Sequence, residues 1–254
     1  MKKTYKIIAF ILITVLLIMG LSGCGEVETS NKKSKSKGKN NTTTVIKNED
    51  NWDNTTVINS TEKVEKKEDK VQVEALGLTR NGDFAFKVIN NNDEPVYIET
   101  VNTIFKDENG NFAEKAQSDI QYFTVDANSE VVNYAWGFDK DFSKYTNYEF
   151  ECEFSESFMK NYFLTDNFEV TANNTGTQIA VSVKNNNSVD VKSMETVVAY
   201  YSDGKIVGCQ MGYNDTTIKE GSTAYLNVQY PEDSRYNEVA FDNYEVYLMQ
   251  ASID

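Results

Sequence analysis

Phe84-Ala85-Phe86-Lys87-Val88-Ile89-Asn90-Asn91-Asn92 returns 95 residues later as Ile179-Ala180-Val181-Ser182-Val183-Lys184-Asn185-Asn186-Asn187. In both stretches apolar side chains recur at every second position: Phe84, Phe86 and Val88, then Ile179, Val181 and Val183. A period of two predicts strands with one face turned to a core. Each strand runs into three asparagines. A strand-end asparagine bonds the neighbouring backbone and tolerates left-handed geometry, so we read the runs as caps on the following turn, in preference to a surface contact.

Working outward, the match continues in the same order at nearly constant offset. Glu99-Thr100-Val101 pairs with Glu195-Thr196-Val197, and Asn147-Tyr148-Glu149 with Asn243-Tyr244-Glu245. Phe105-Lys106-Asp107 before Gly110 pairs with Tyr201-Ser202-Asp203 before Gly204, each an aromatic-x-Asp turn. Each unit is about 85–90 residues, the size of a small β-domain. Further β-branched and aromatic runs lie at 97–105, 120–125, 131–138 and 148–154 in the first copy. In the second copy they lie at 168–172, 194–201, 205–210, 222–230 and 244–249. About seven short strands with turns every 8–12 residues predict a sandwich. The predicted fold is all-β: two tandem immunoglobulin-like β-sandwich domains, 71–160 and 161–254. Helix is confined to a turn or two within 139–145, 155–162 and 231–237.

The Val-x-Asn strand ends (Val88-Ile89-Asn90; Val183-Lys184-Asn185) and the aromatic-x-Asp hairpins resemble the FxLYD family of bacterial surface domains. Lys106 and Ser202 stand where that family carries leucine. The resemblance implies a small Ig-like sandwich and brings no catalytic residues with it.

Ahead of the repeats stands an N-terminal leader. Lys2, Lys3 and Lys6 precede an apolar run from Ile7 to Met19, too short to span a bilayer, which needs about 20 residues. Leu21-Ser22-Gly23-Cys24 follows and resembles a lipoprotein lipobox, which implies cleavage after Gly23 and diacylation of Cys24. Residues 1–23 are then a signal peptide and 24–70 a lipidated cysteine with a disordered tether. That tether is rich in Lys, Asn, Thr, Ser and Glu and shows no apolar period. Anchoring by two or more acyl chains is stable, so the expected location is the extracytoplasmic side of a cell membrane.

The chain carries a net charge of −14, unevenly spread. Residues 71–254 hold 12 lysines and arginines against 30 acids. Such a surface repels phosphate backbones, so no nucleic acid partner is expected. Lys32, Lys33, Lys35, Lys37 and Lys39 make the start of the tether basic, which suits a solvated spacer or contact with anionic headgroups. Histidine is absent, removing histidine bases, Ser-His-Asp triads and histidine metal ligands together.

Candidate chemistry is correspondingly thin, and the chain is read as no enzyme. Glu149, Glu151 and Glu153 alternate along a strand as a solvated face, not as an acid–base pair. Asp107-Glu108-Asn109-Gly110-Asn111 has a passing likeness to a calcium loop but lacks its ligand spacing, so no cofactor is expected, with Ca²⁺ the one contender. Tyr122, Phe123, Tyr134, Trp136 and Phe138 could line a carbohydrate-binding face; we read Tyr134, Trp136 and Phe138, on one strand face, as core. Cys152 and Cys209 occupy non-equivalent positions in the two copies and are read as unbridged thiols. The expected role is presentation of tandem domains for binding or adhesion, to an envelope protein or glycan. The alternatives are a structural part of an envelope complex and a Ca²⁺-dependent or carbohydrate-binding module.

Overall fold

A computed structural model describes residues 67–137 and 139–253; the leader, Cys24 and the tether up to residue 66 lie outside these residues. The described chain is all-β. The first copy holds β1 (Val71–Leu78), β2 (Phe84–Asn90), β3 (Val96–Lys106), β4 (Phe112–Gln117), β5 (Phe123–Val125), β6 (Ser129–Ala135) and β7 (Asn147–Phe154). The second holds β8 (Phe168–Asn174), β9 (Gln178–Asn185), β10 (Ser193–Ser202), β11 (Lys205–Asn214), β12 (Thr223–Gln229) and β13 (Asn243–Ser252). A single helical turn, α1 (Glu156–Met159), joins them, and a 3₁₀ turn covers Phe142–Lys144. The expected turn of helix within 231–237 is instead a loop, in which Asp233 accepts the backbone N–H groups of Arg235 and Asn237.

Topology repeats with the sequence. Sheet β1-β2-β6 faces a sheet in which β3 is flanked by β4 and β5 on one side and β7 on the other. Sheet β12-β9-β8 faces β11-β10-β13 in the same way. All of these pairings are antiparallel. The counterpart of β5 shrinks to one bridge between Val191 and Ile218. Phe86, Val88, Ile98, Val101, Phe123 and Val131 fill the first sandwich. Ile179, Val181, Val183, Val198, Tyr200, Leu226 and Val228 fill the second.

The cross-strand register corrects two of the sequence matches by one residue. Val101 lies opposite Cys152, and the equivalent position opposite Leu248 is taken by Thr196, not Val197. Likewise Phe105 faces Tyr148 while Tyr200, not Tyr201, faces Tyr244. A shift of one residue moves a side chain to the other face of its sheet. Val197 and Tyr201 therefore point away from their own core.

The asparagine runs form the same buried knot twice. The Asn90 side-chain amide donates to the carbonyls of Glu94 (2.8 Å), Val125 (3.0 Å) and Asp126 (3.0 Å), and its Oδ1 accepts from the Asn92 backbone and side chain (3.0 and 2.7 Å). Asn185 donates to Val189 (2.8 Å) and Ile218 (3.1 Å) and accepts the same pair of bonds from Asn187. Asn90 and Asn185 are fully buried. Each knot staples the end of a strand in one sheet to the chain entering the facing sheet, satisfying backbone groups that the turn leaves open.

Candidate binding site between the sandwiches

Residues paired across strands share a face, which allows the four sheet surfaces that point away from the two cores to be compared. On β1-β2-β6 that surface carries Ala85, Val132 and Tyr134, all buried. On β11-β10-β13 it carries Val197, Ala199, Cys209 and Tyr247. These two apolar faces meet: Val197, Ala199, Ile206, Cys209 and Met249 belong to one continuous cluster with Ala85, Val132 and Tyr134. The sheets thus stack in four layers, and the middle pair forms a seam between the copies. Polar bonds pin its margins. The Arg80 N–H donates to the Val207 carbonyl (3.0 Å), and the Gln250 amide donates to the Tyr122 carbonyl (2.7 Å).

The two outermost surfaces are mostly polar. Glu149, Glu151 and Glu153 stand on the free face of β7, as expected from their alternation. There Lys106 pairs with Glu149, Lys115 with Glu151 (3.7 Å), and Asn102 donates to Glu153 (2.7 Å). Thr171, Ser182 and Asn227 occupy the free face of the last sheet, and Tyr225, opposite Ser182, is the one large aromatic among them.

At one end of the seam lies a cavity of about 220 Å³ lined by Asn81, Asp83, Asp119, Tyr134 and Trp136 of the first sandwich and Cys209 and Gln210 of the second. Its floor is made by the turn before β2. The Asp83 Oδ1 accepts the Gly137 N–H (2.9 Å), and its Oδ2 accepts from the Asn81 amide (2.7 Å). Gly137 permits this approach, since a Cβ there would lie 2.3 Å from the Gly82 carbonyl oxygen. Asp83 is 2% exposed, and burial, with Asp119 nearby, holds its carboxyl above the usual range despite those bonds. Tyr134, buried beside it, bonds Asp119 and is pushed up too, chiefly by burial.

Several residues expected to matter sit elsewhere. Trp136 is not core: it falls past the end of β6 and is 58% exposed at the cavity, while Tyr134 is buried against the second sandwich and not within its own. Phe138 lies outside the described residues. Asp107 spends its Oδ1 on the N–H groups of Asn109 and Asn111, and those bonds hold its carboxyl below the usual range. Among the described residues no group of three or more Cys, Asp or Glu stands close enough to share a metal ion. Cys152 and Cys209 are free thiols; burial pushes Cys152 up to about 12 and Cys209 higher still. Leu21, Ser22, Gly23 and Cys24 lie outside the described residues. A wider depression of about 680 Å³ beside the 107–111 hairpin is lined by Lys106, Glu108, Tyr148 and Glu149, two of which already pair with each other.

Asn81, Asp83, Asp119 and Gln210 were not singled out by sequence. Asn81-Gly82-Asp83 reads as an ordinary turn, and nothing local to it signals that another domain will close over it.

No family model matches the chain, and no curated protein matches it. Among solved structures it is similar to red sea bream transglutaminase, at 10% identity and a TM-score of 0.22, covering 63% of this chain and 26% of that one.

Proposed function

We propose that the chain is a membrane-anchored extracytoplasmic lipoprotein whose two FxLYD-like sandwiches act together as a non-catalytic binding module. The observation that carries this is the seam. It joins the sandwiches through an apolar face and leaves at its end an open cavity lined by fixed polar groups, and small ligands favour such domain interfaces. Cys209 is buried and Cys152 half-buried, and desolvation raises both thiols above their usual range, which suits a structural role for both. Lipidation at Cys24, after cleavage behind Leu21-Ser22-Gly23, would fix the module to the membrane by its tether.

Two measurements test the reading. Full-length chain should partition into a detergent phase, and Cys24→Ala should leave it; retention of the variant there would remove the anchor. A screen of the detergent-solubilised chain against arrayed glycans, small metabolites and envelope proteins should yield a ligand whose binding Trp136→Leu weakens. Turnover of a screened compound would reject the non-catalytic reading.

A further inference from the structure

The seam cavity has a lining that selects one class of ligand. Two carboxylates, an indole, a phenol and two amides converge on it, and no lysine or arginine is among its lining residues. None of the ion pairs between described residues involves Asp83 or Asp119. Asp83 is nonetheless almost fully buried and pinned at both oxygens, so its position is set before any ligand arrives. A buried carboxylate whose nearby charge is another acid is costly, and a cation would offset that cost. Cys209, 2% exposed, adds to the same wall a thiol that forms no hydrogen bond among the described residues.

Shape narrows the choice. At about 220 Å³ the cavity is smaller than the roughly 300 Å³ at which drug-sized pockets begin. A metal ion of the calcium type favours six or more oxygen ligands with several carboxylates among them, and only two carboxylates, Asp83 and Asp119, line this cavity. Aromatic rings attract ammonium groups through their faces, and Trp136 is the best ring for it.

We propose that the seam cavity binds a compact organic cation, the ammonium head of a small amine, with Asp83 and Asp119 supplying counter-charge and Tyr134 and Trp136 the aromatic wall. This rests on the binding reading above and names the ligand class for that site.

The test titrates full-length chain in detergent with tetramethylammonium and methylammonium chloride, at constant ionic strength, by calorimetry. A Trp52→Phe background leaves Trp136 as the one tryptophan, so its fluorescence reports the same event. At least one ammonium should bind saturably, about ten-fold tighter than tert-butanol, a neutral compound of similar bulk. Trp136→Leu and Asp119→Asn, both at exposed positions, should each weaken binding about ten-fold, as should Asp83→Asn if it folds. Glu151→Gln, on the far face, should bind as the parent does. Absence of saturable ammonium binding, equal binding of tert-butanol, or unchanged binding by Trp136→Leu and Asp119→Asn would each overturn the proposal. If the amines fail while the wider screen yields a Trp136-dependent ligand, only the cation assignment falls. If neither yields one, the binding reading falls with it.

Discussion

Replacing Asn90 by alanine removes five hydrogen-bonding contacts at once, with two amide protons shared among three carbonyls. Three of the contacts are wholly buried, the one to the Val125 carbonyl and the two received from Asn92. The bonds to the Glu94 and Asp126 carbonyls are partly buried, and water can replace them. A buried polar group left without a partner costs about 1–3 kcal/mol. Three such losses, partly relieved by relaxation, come to about 3–5 kcal/mol, a large part of the roughly 5–15 kcal/mol that holds a domain folded. For a protein of this size that corresponds to a fall in Tm of roughly 10 °C or more. Asn185→Ala should cost a similar amount, because the second knot repeats the first. Asn90→Asp should be worse than alanine at neutral pH, since it aims a carboxylate at carbonyl oxygens, and should recover part of the loss in acid. Urea unfolding followed by circular dichroism measures all three. A loss below about 1 kcal/mol for either alanine variant, or aspartate milder than alanine at pH 7, would refute the account of the knot as buried, mutually satisfied hydrogen bonding.

Other substitutions probe the seam and the cavity floor. Val197→Asp buries a carboxylate between the sandwiches and should destabilise by about 3–5 kcal/mol; a change within 0.5 kcal/mol would mean that the apolar faces do not meet. Gly137→Ala should destabilise by more than 1 kcal/mol because its Cβ would collide with the Gly82 carbonyl, whereas Gly110→Ala, strained only by its positive φ, should cost about 1 kcal/mol. Thermal melts of the two that rank in the reverse order would refute this. Because burial holds the Asp83 carboxyl above its usual range, the folded chain takes up a proton more readily than the unfolded one. That contribution is fully present below the ordinary carboxylate pKa and is lost as pH rises through the raised value. Asp83→Asn should flatten the fall in stability with rising pH in that window, and an unchanged slope in pH-dependent urea melts would place its source elsewhere.

Strand alternation and turn chemistry are local properties, and what depended on them was readable from sequence. The run from Phe84 to Asn92 predicts its strand, its inward face and its capping asparagines without reference to the rest of the chain. β4 escaped because it is an edge strand with most of its residues exposed, so Phe112-Ala113-Glu114-Lys115-Ala116-Gln117 has no clean alternation to read. The two one-residue misalignments have a different origin. Val101 and Val197 are both fully buried valines beside a threonine, and composition alone cannot say which buried surface each one faces. The seam was illegible for the same reason. Val197, Ala199 and Cys209 are as apolar as a core requires, and their partners Ala85, Val132 and Tyr134 stand more than sixty positions away. The cavity follows from the seam, so its residues became visible only together.

The difference between inner and outer sheet faces also limits how far such a chain can be extended. A stack whose exposed surfaces matched its joined ones would keep adding copies, from a further duplication or from a neighbouring molecule. Here the mating surface of the first copy is its β1-β2-β6 sheet and that of the second its β11-β10-β13 sheet, so opposite halves of the repeated sandwich are the sticky ones. The remaining halves carry glutamate–lysine pairs on one side and mainly hydroxyl and amide side chains, with Tyr225, on the other. Growth by this contact is disfavoured beyond two, because a third repeat spliced on at either end would meet a mostly polar surface in which Tyr225 and Ile104 are isolated apolar side chains.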